Sequence, residues 1–127
     1  MAEGYNEASY AVDEKKFSGW LYIIMKVKGL KVKKEGGLFG GKKKVAKNAH
    51  IEEQAFGERT VTVRVDGKDN LAGTNIELAI KRLPYDIVPS SCYIEPEEDR
   101  ILVYLKKSDS KQSWKTYIEG SGIETDE

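Results

Sequence analysis

Arg100-Ile101-Leu102-Val103-Tyr104-Leu105-Lys106-Lys107-Ser108-Asp109-Ser110-Lys111-Gln112-Ser113-Trp114 reads as a strand with a basic end, a polar turn and a tryptophan. Alternation puts Ile101, Val103 and Leu105 on one face and Leu102 and Tyr104 on the other, so both faces carry apolar cover. A short strand that is apolar on both sides belongs inside a sheet that packs on another layer. After the Ser108-Asp109-Ser110 turn, Trp114 is too large and apolar for an idle surface position. It folds back over an edge or face of the sheet, and its indole N–H needs an acceptor there.

The rest of the chain supplies neighbours for that strand. From Trp20 to Lys28, Leu21, Ile23, Met25 and Val27 share one face, and Trp20, Tyr22, Ile24, Lys26 and Lys28 share the other. Thr60 to Val65 alternates with Val61, Val63 and Val65 inward and ends at the Asp66-Gly67 turn. Thr74 to Arg82 places Ile76, Leu78 and Ile80 on one side. Ser9 to Val12 and Cys92 to Pro96 are brief extended pieces. Tyr85 to Val88, bracketed by Pro84 and Pro89, is an edge strand or an extended connection. Ala49 to Phe56 fits a strand or a helical turn equally well, and no stretch forms a convincing amphipathic helix. The pattern predicts an all-β fold, an antiparallel β-sandwich of about seven strands. Residues 9–118 form the domain, with a glycine- and lysine-rich insertion loop at 31–48, a flexible start at 1–8 and a flexible acidic tail at 119–127.

The chain has 127 residues, enough for one core, and 33% of them are charged with a formal net charge of zero. That balance gives no global attraction to nucleic acid or anionic membranes. The longest apolar run, Trp20 to Met25, falls far short of the roughly 20 residues that span a bilayer, and the start lacks a signal-peptide pattern. Cys92 is the single cysteine, so an internal disulfide is excluded. These features predict a cytoplasmic, or nuclear, monomeric protein.

Catalytic and metal chemistry find little support. His50 is the single histidine, Cys92 has no histidine near it in sequence, and the two together cannot build a zinc cage. The expectation is a protein with no catalytic residues, no metal and no cofactor. Glu97-Glu98-Asp99 reads as a solvated turn. Gly36, Gly41 and Lys42 match the spacing of a phosphate-cradling loop, but Lys43 replaces the Ser or Thr that holds magnesium and no strand–loop–helix pattern surrounds it, so the match is read as coincidence. Lys42, Lys43, Lys44 and Lys47, with Phe39 at the loop tip, are the alternative site, a basic patch suited to nucleic acid or another anionic surface. The patch lacks arginine, which favours a solvated, mobile loop. Ser18-Gly19-Trp20-Leu21 before a basic loop is similar to the opening of pleckstrin-type lipid-binding domains. Those close with a C-terminal helix, and the residues after Trp114 are too few and too glycine-broken for one.

Asn75-Ile76-Glu77-Leu78-Ala79-Ile80, Leu83 to Val88, Asp99 to Lys107 and Gln112-Ser113-Trp114, taken in order, resemble the CS domain, the α-crystallin-like β-sandwich of small heat-shock-like co-chaperones. In that family a polar turn leads into a strand with a basic end, and a tryptophan follows within several positions. Tyr10 and Asp13 lie near the family's opening aromatic motif, with Ala11 and Val12 where its tryptophan is expected, and the loop from Glu35 to Asn48 looks like an insertion. The resemblance implies a non-enzymatic adaptor or co-chaperone that binds a ninety-kilodalton heat-shock chaperone or its clients. Carried over by position, it implies Lys106, Lys107 and Trp114, with Arg100, as partner-binding residues. An aromatic anchor flanked by cations suits a protein interface. Trp114 either plugs the end of its own sandwich or is presented to that partner.

Overall fold

A computed structural model of the chain describes residues 5–14, 19–35, 43–52, 54–120 and 123. In chain order the strands are β1 (Asn6–Glu7), β2 (Tyr10–Glu14), β3 (Trp20–Lys26), β4 (Val32–Glu35), β5 (Lys43–Ala46), β6 (Ala49–Ile51), β7 (Ala55–Phe56), β8 (Val61–Gly67), β9 (Asn75–Ile80), β10 (Tyr93–Glu97) and β11 (Arg100–Lys106). One short helix, α1 (Lys115–Glu119), follows. The first sheet runs β1-β9-β8-β6, with β7 also on β8; the second runs β10-β11-β3-β2; β4 and β5 form a separate ribbon. The fold is all-β and sandwich-like, with eleven strands among the described residues where about seven were expected.

The predicted faces of the long strands form the core. β11 pairs antiparallel with β3, so that Ile101, Val103 and Leu105 lie opposite Met25, Ile23 and Leu21. All six side chains are fully buried and pack with Val61, Val63 and Val65 of β8 and Leu78 and Ile80 of β9. Burying each such aliphatic side chain contributes about 1.5–3 kcal/mol, which makes the four alternating strands the main source of stability. Tyr85 to Val88 is an extended connection tied in by one bridge, Ile87 to Lys107.

Two expectations need correction. The lysine-rich segment is not a loop throughout: Val32 to Glu35 and Lys43 to Ala46 form an antiparallel ribbon. Lys34 lies directly opposite Lys44 there, a repulsive register. It is offset because Lys44 Nζ reaches Glu97 Oε2 on β10 at 3.4 Å. At the base of the ribbon, buried Asn48 accepts the Lys31 N–H (2.9 Å) and donates to Gly29 O (3.0 Å) and Asn70 Oδ1 (2.8 Å). Lone pairs and amide protons are both used, as burial of a polar side chain requires.

The chain ends are also more engaged than expected. β1 pairs in parallel with β9, and the Ala8 N–H donates to Glu77 O at 2.9 Å, so the start of the chain joins the first sheet. Within the tail, Ile123 is fully buried in the core.

Glu98 and Asp99 form an exposed turn, as expected, and Glu97 ends β10. Asp99 takes a positive φ of 65° at the β10–β11 turn, a region that Asp enters more readily than most residues. Its Oδ1 accepts the Gly29 N–H at 2.9 Å and its own N–H donates to Leu30 O at 3.0 Å. The turn clasps the loop after β3.

Candidate protein-interaction face

Alternation that buries one side of the β10-β11-β3-β2 sheet leaves the other side with the remaining residues of the same strands. Across that outer face Asp13, Tyr22, Tyr104 and Tyr93 form one row, and Ala11, Ile24, Leu102 and Glu95 form the next. Trp20 sits opposite Lys106, and Lys26 opposite Arg100. The aromatic rings support one another. Tyr93 stacks on Tyr104 with centroids 4.7 Å apart, Tyr22 lies 5.9 Å from Tyr104, and the Trp20 ring meets Tyr93 edge-on at 5.9 Å. Ring pairs of this kind add about 0.5–1.5 kcal/mol each beyond their burial, so the cluster is rigid. Tyr93 is the one large apolar side chain among the described residues that remains substantially exposed, at 50%.

Charge frames the cluster. The Lys106 ammonium lies 5.3 Å from the centre of the Trp20 ring, a cation–π contact. Arg100 is exposed and bonds Glu97 Oε1 at 2.7 Å. Tyr22 OH donates to Asp13 Oδ2 at 3.0 Å, and that hydrogen bond to a carboxylate, with some burial, pushes the phenol above its ordinary pKa. Burial does the same for Tyr104, with help from the neighbouring Glu95. Both phenols are therefore neutral hydrogen-bonding groups at physiological pH.

Of the four residues assigned by resemblance to partner binding, the structure keeps two at the surface and takes two inside. Arg100 and Lys106 lie on the outer face just described. Lys107 points the other way and is 5% exposed. Its Nζ pairs with Glu14 on β2 and donates to Gln112 O at 2.8 Å. Trp114 has no exposed surface: its ring packs 5.8 Å from Tyr85, and it plugs the end of the sandwich. Its Nε1 has no hydrogen-bond partner among the described residues. Neither Lys107 nor Trp114 offers surface to a partner in this conformation: the buried ammonium is compensated by Glu14 and Gln112 O, and the indole gains from leaving water.

Glu14, which no motif singles out, holds these two in place. Its carboxylate takes the Lys107 ammonium, the Trp114 backbone N–H at 3.1 Å and Ser113 Oγ at 3.3 Å. Burial alone would raise its pKa. The Lys107 hydrogen bond and the Trp114 N–H more than offset that, so the carboxyl stays below its ordinary value.

Three residues of the alternative basic site lie among the described residues. Lys44 is engaged by Glu97, Lys47 is exposed, and Lys43 lies in β5. Phe39, Lys42 and the glycine spacing from Gly36 to Gly41 lie outside the described residues. Elsewhere, Cys92 is half-buried and donates to Val88 O at 3.3 Å, and burial raises its thiol pKa. His50 is exposed on β6, opposite Asp66. No group of three or more His, Cys, Asp or Glu among the described residues is arranged to hold a metal ion. No helix among them is long and apolar enough to cross a membrane.

The chain matches no family model and no curated protein.

Proposed function

We propose that this chain is a CS-like, non-enzymatic protein-binding module, an adaptor or co-chaperone that engages a ninety-kilodalton heat-shock-type chaperone or its clients in the cytoplasm or nucleus. The observation that carries the reading is the outer face of the β10-β11-β3-β2 sheet, where Trp20, Tyr22, Tyr104 and half-exposed Tyr93 form one aromatic surface beside Lys106 and Arg100. Trp, Tyr and Arg are the residue types that dominate binding energy at protein interfaces, and pre-ordered rings lose little entropy on docking. The order of sequence segments that resembles the CS domain supports the same assignment, and its basic strand end falls on this face at Lys106. The binding residues are thus Tyr93, Trp20, Lys106 and Arg100, with Lys107 and Trp114 holding the scaffold beneath them.

The test is retention of the purified chaperone on the immobilised protein, with and without nucleotide, by wild type and by a Tyr93→Ala, Lys106→Glu double variant. Wild type retains the chaperone, and the double variant binds it at least about tenfold more weakly, the size expected when an aromatic hot spot and a rim charge are both lost. No retention by wild type would remove the chaperone as partner. Equal retention by the variant would remove this face.

A further inference from the structure

β6 is the end strand of the first sheet and β10 the end strand of the second. On the flank where these two edges meet, the β4–β5 ribbon arches over them and leaves a groove of about 560 Å³. Its apolar lining includes Ile51, Ile94 and Pro96, and the charge-bearing side chains around it are Lys33, Lys44, Lys68 and His50. No carboxylate lines it among the described residues. Lys44 is held by Glu97, whereas the exposed Lys68 ammonium makes no ion pair among the described residues.

We propose that this groove binds an extended acidic peptide segment with an aliphatic side chain at its centre. The groove adjoins the aromatic face at Tyr93, which lines both, but the proposal does not rest on the chaperone reading. Three features select this occupant. The volume lies in the range of ligand-binding clefts and fits a short segment rather than a folded domain. The cations of the rim, Lys68 above all, complement carboxylates and repel basic sequences. Two of the groove's walls belong to the end strands β6 and β10, an extended frame along which a peptide lies with side chains in the groove. A single-stranded nucleic acid is disfavoured: among the described residues no guanidinium lines the groove, and one face of the Tyr93 ring is already stacked on Tyr104.

The probe is a fluorescein-labelled peptide with the sequence Asp-Glu-Ile-Asp-Glu, titrated into the full chain. Binding is followed by anisotropy and by amide chemical shifts, with a peptide carrying lysine at each acidic position as control. Saturable binding is expected, with shifts centred on Ala49, Ile51 and Ile94 and none for the lysine peptide. Lys33→Glu with Lys68→Glu should weaken binding about tenfold or more, because both lysines are on the rim. Raising salt to about 0.5 M should weaken it as well, because these charges are exposed and screened. Both positions are exposed, and an unchanged urea midpoint shows that the variant remains folded. The proposal is overturned if the shifts fall outside the groove, if charge reversal leaves the affinity unchanged, or if an oligouridylate displaces the peptide from these residues and binds more tightly.

Discussion

Replacing Trp114 separates two contributions of one side chain, its volume and its indole N–H. The ring is fully buried at the end of the sandwich against Tyr85, so Trp114→Ala leaves a cavity that the surrounding strands cannot close. Such truncations cost about 3–5 kcal/mol, a large share of the ~5–15 kcal/mol that holds a typical domain folded. Trp114→Phe is different. It loses part of the ring volume, at about 1–2 kcal/mol, but it also removes a buried N–H that has no partner among the described residues. An unsatisfied buried donor costs about 1–3 kcal/mol, so the two changes nearly cancel and Trp114→Phe should lie within about 1 kcal/mol of wild type. Urea unfolding at 25 °C, followed by far-UV circular dichroism, measures both variants. The Ala variant should unfold at a midpoint lower by roughly 2 M, and the Phe variant should nearly overlay wild type. If Phe is as damaging as Ala, the indole N–H is satisfied in solution and the argument fails. If Ala costs less than about 1 kcal/mol, Trp114 is not a core plug at all.

The Glu14 carboxyl is held below its ordinary value of 4.5 in the folded chain, so the stability it contributes is present above that value and is lost as pH falls through the lower, folded value. Urea midpoints of wild type and Glu14→Gln should therefore differ most near neutrality and converge in acid; a gap that stays constant with pH would exclude the carboxylate as the source. Gly67→Ala should destabilise by about 3 kcal/mol or more, because a Cβ there would stand 1.9 Å from the carbonyl oxygen of Leu71 and 2.7 Å from that of Thr74, both backbone atoms that cannot swing aside. Thermal unfolding of that variant within a few degrees of wild type would mean that the β8–β9 turn relaxes freely.

Alternation made β3, β8, β9 and β11 legible, because each repeats an apolar residue every second position and has one face on the core. The same alternation placed Trp20 and Tyr22 on the face opposite the core, which is where the aromatic cluster lies. The β4–β5 ribbon was not legible: half the residues of Val32 to Glu35 and Lys43 to Ala46 are lysine, and what orders them is cross-strand register plus the Lys44–Glu97 and Asn48 contacts. β6 and β7 were undecided for a related reason, since two strands of two or three residues give too few positions to establish a period. The role of Glu14 lay beyond reach because its partners, Lys107 and Trp114, are 93 and 100 residues away. Local pattern carries no information about which carboxylate will meet which ammonium at that separation, and for the same reason Lys107 looked like a second surface cation beside Lys106.

The pairing of β3 with β11 also bears on how the protein is made. The most apolar stretch in the chain, Trp20 to Lys26, is synthesised well before its central neighbour, Arg100 to Lys106, because most of the sandwich's strands lie between them in sequence. Until then β3 has only β2 beside it, with one hydrogen-bonding edge and a large part of both faces uncovered. Contacts this distant in sequence form slowly. Between the synthesis of β3 and that of β11 the nascent chain therefore carries its stickiest strand with one edge unpaired, and translation rate and the machinery at the ribosome exit bear on the yield of this protein as well as the stability of the finished sandwich.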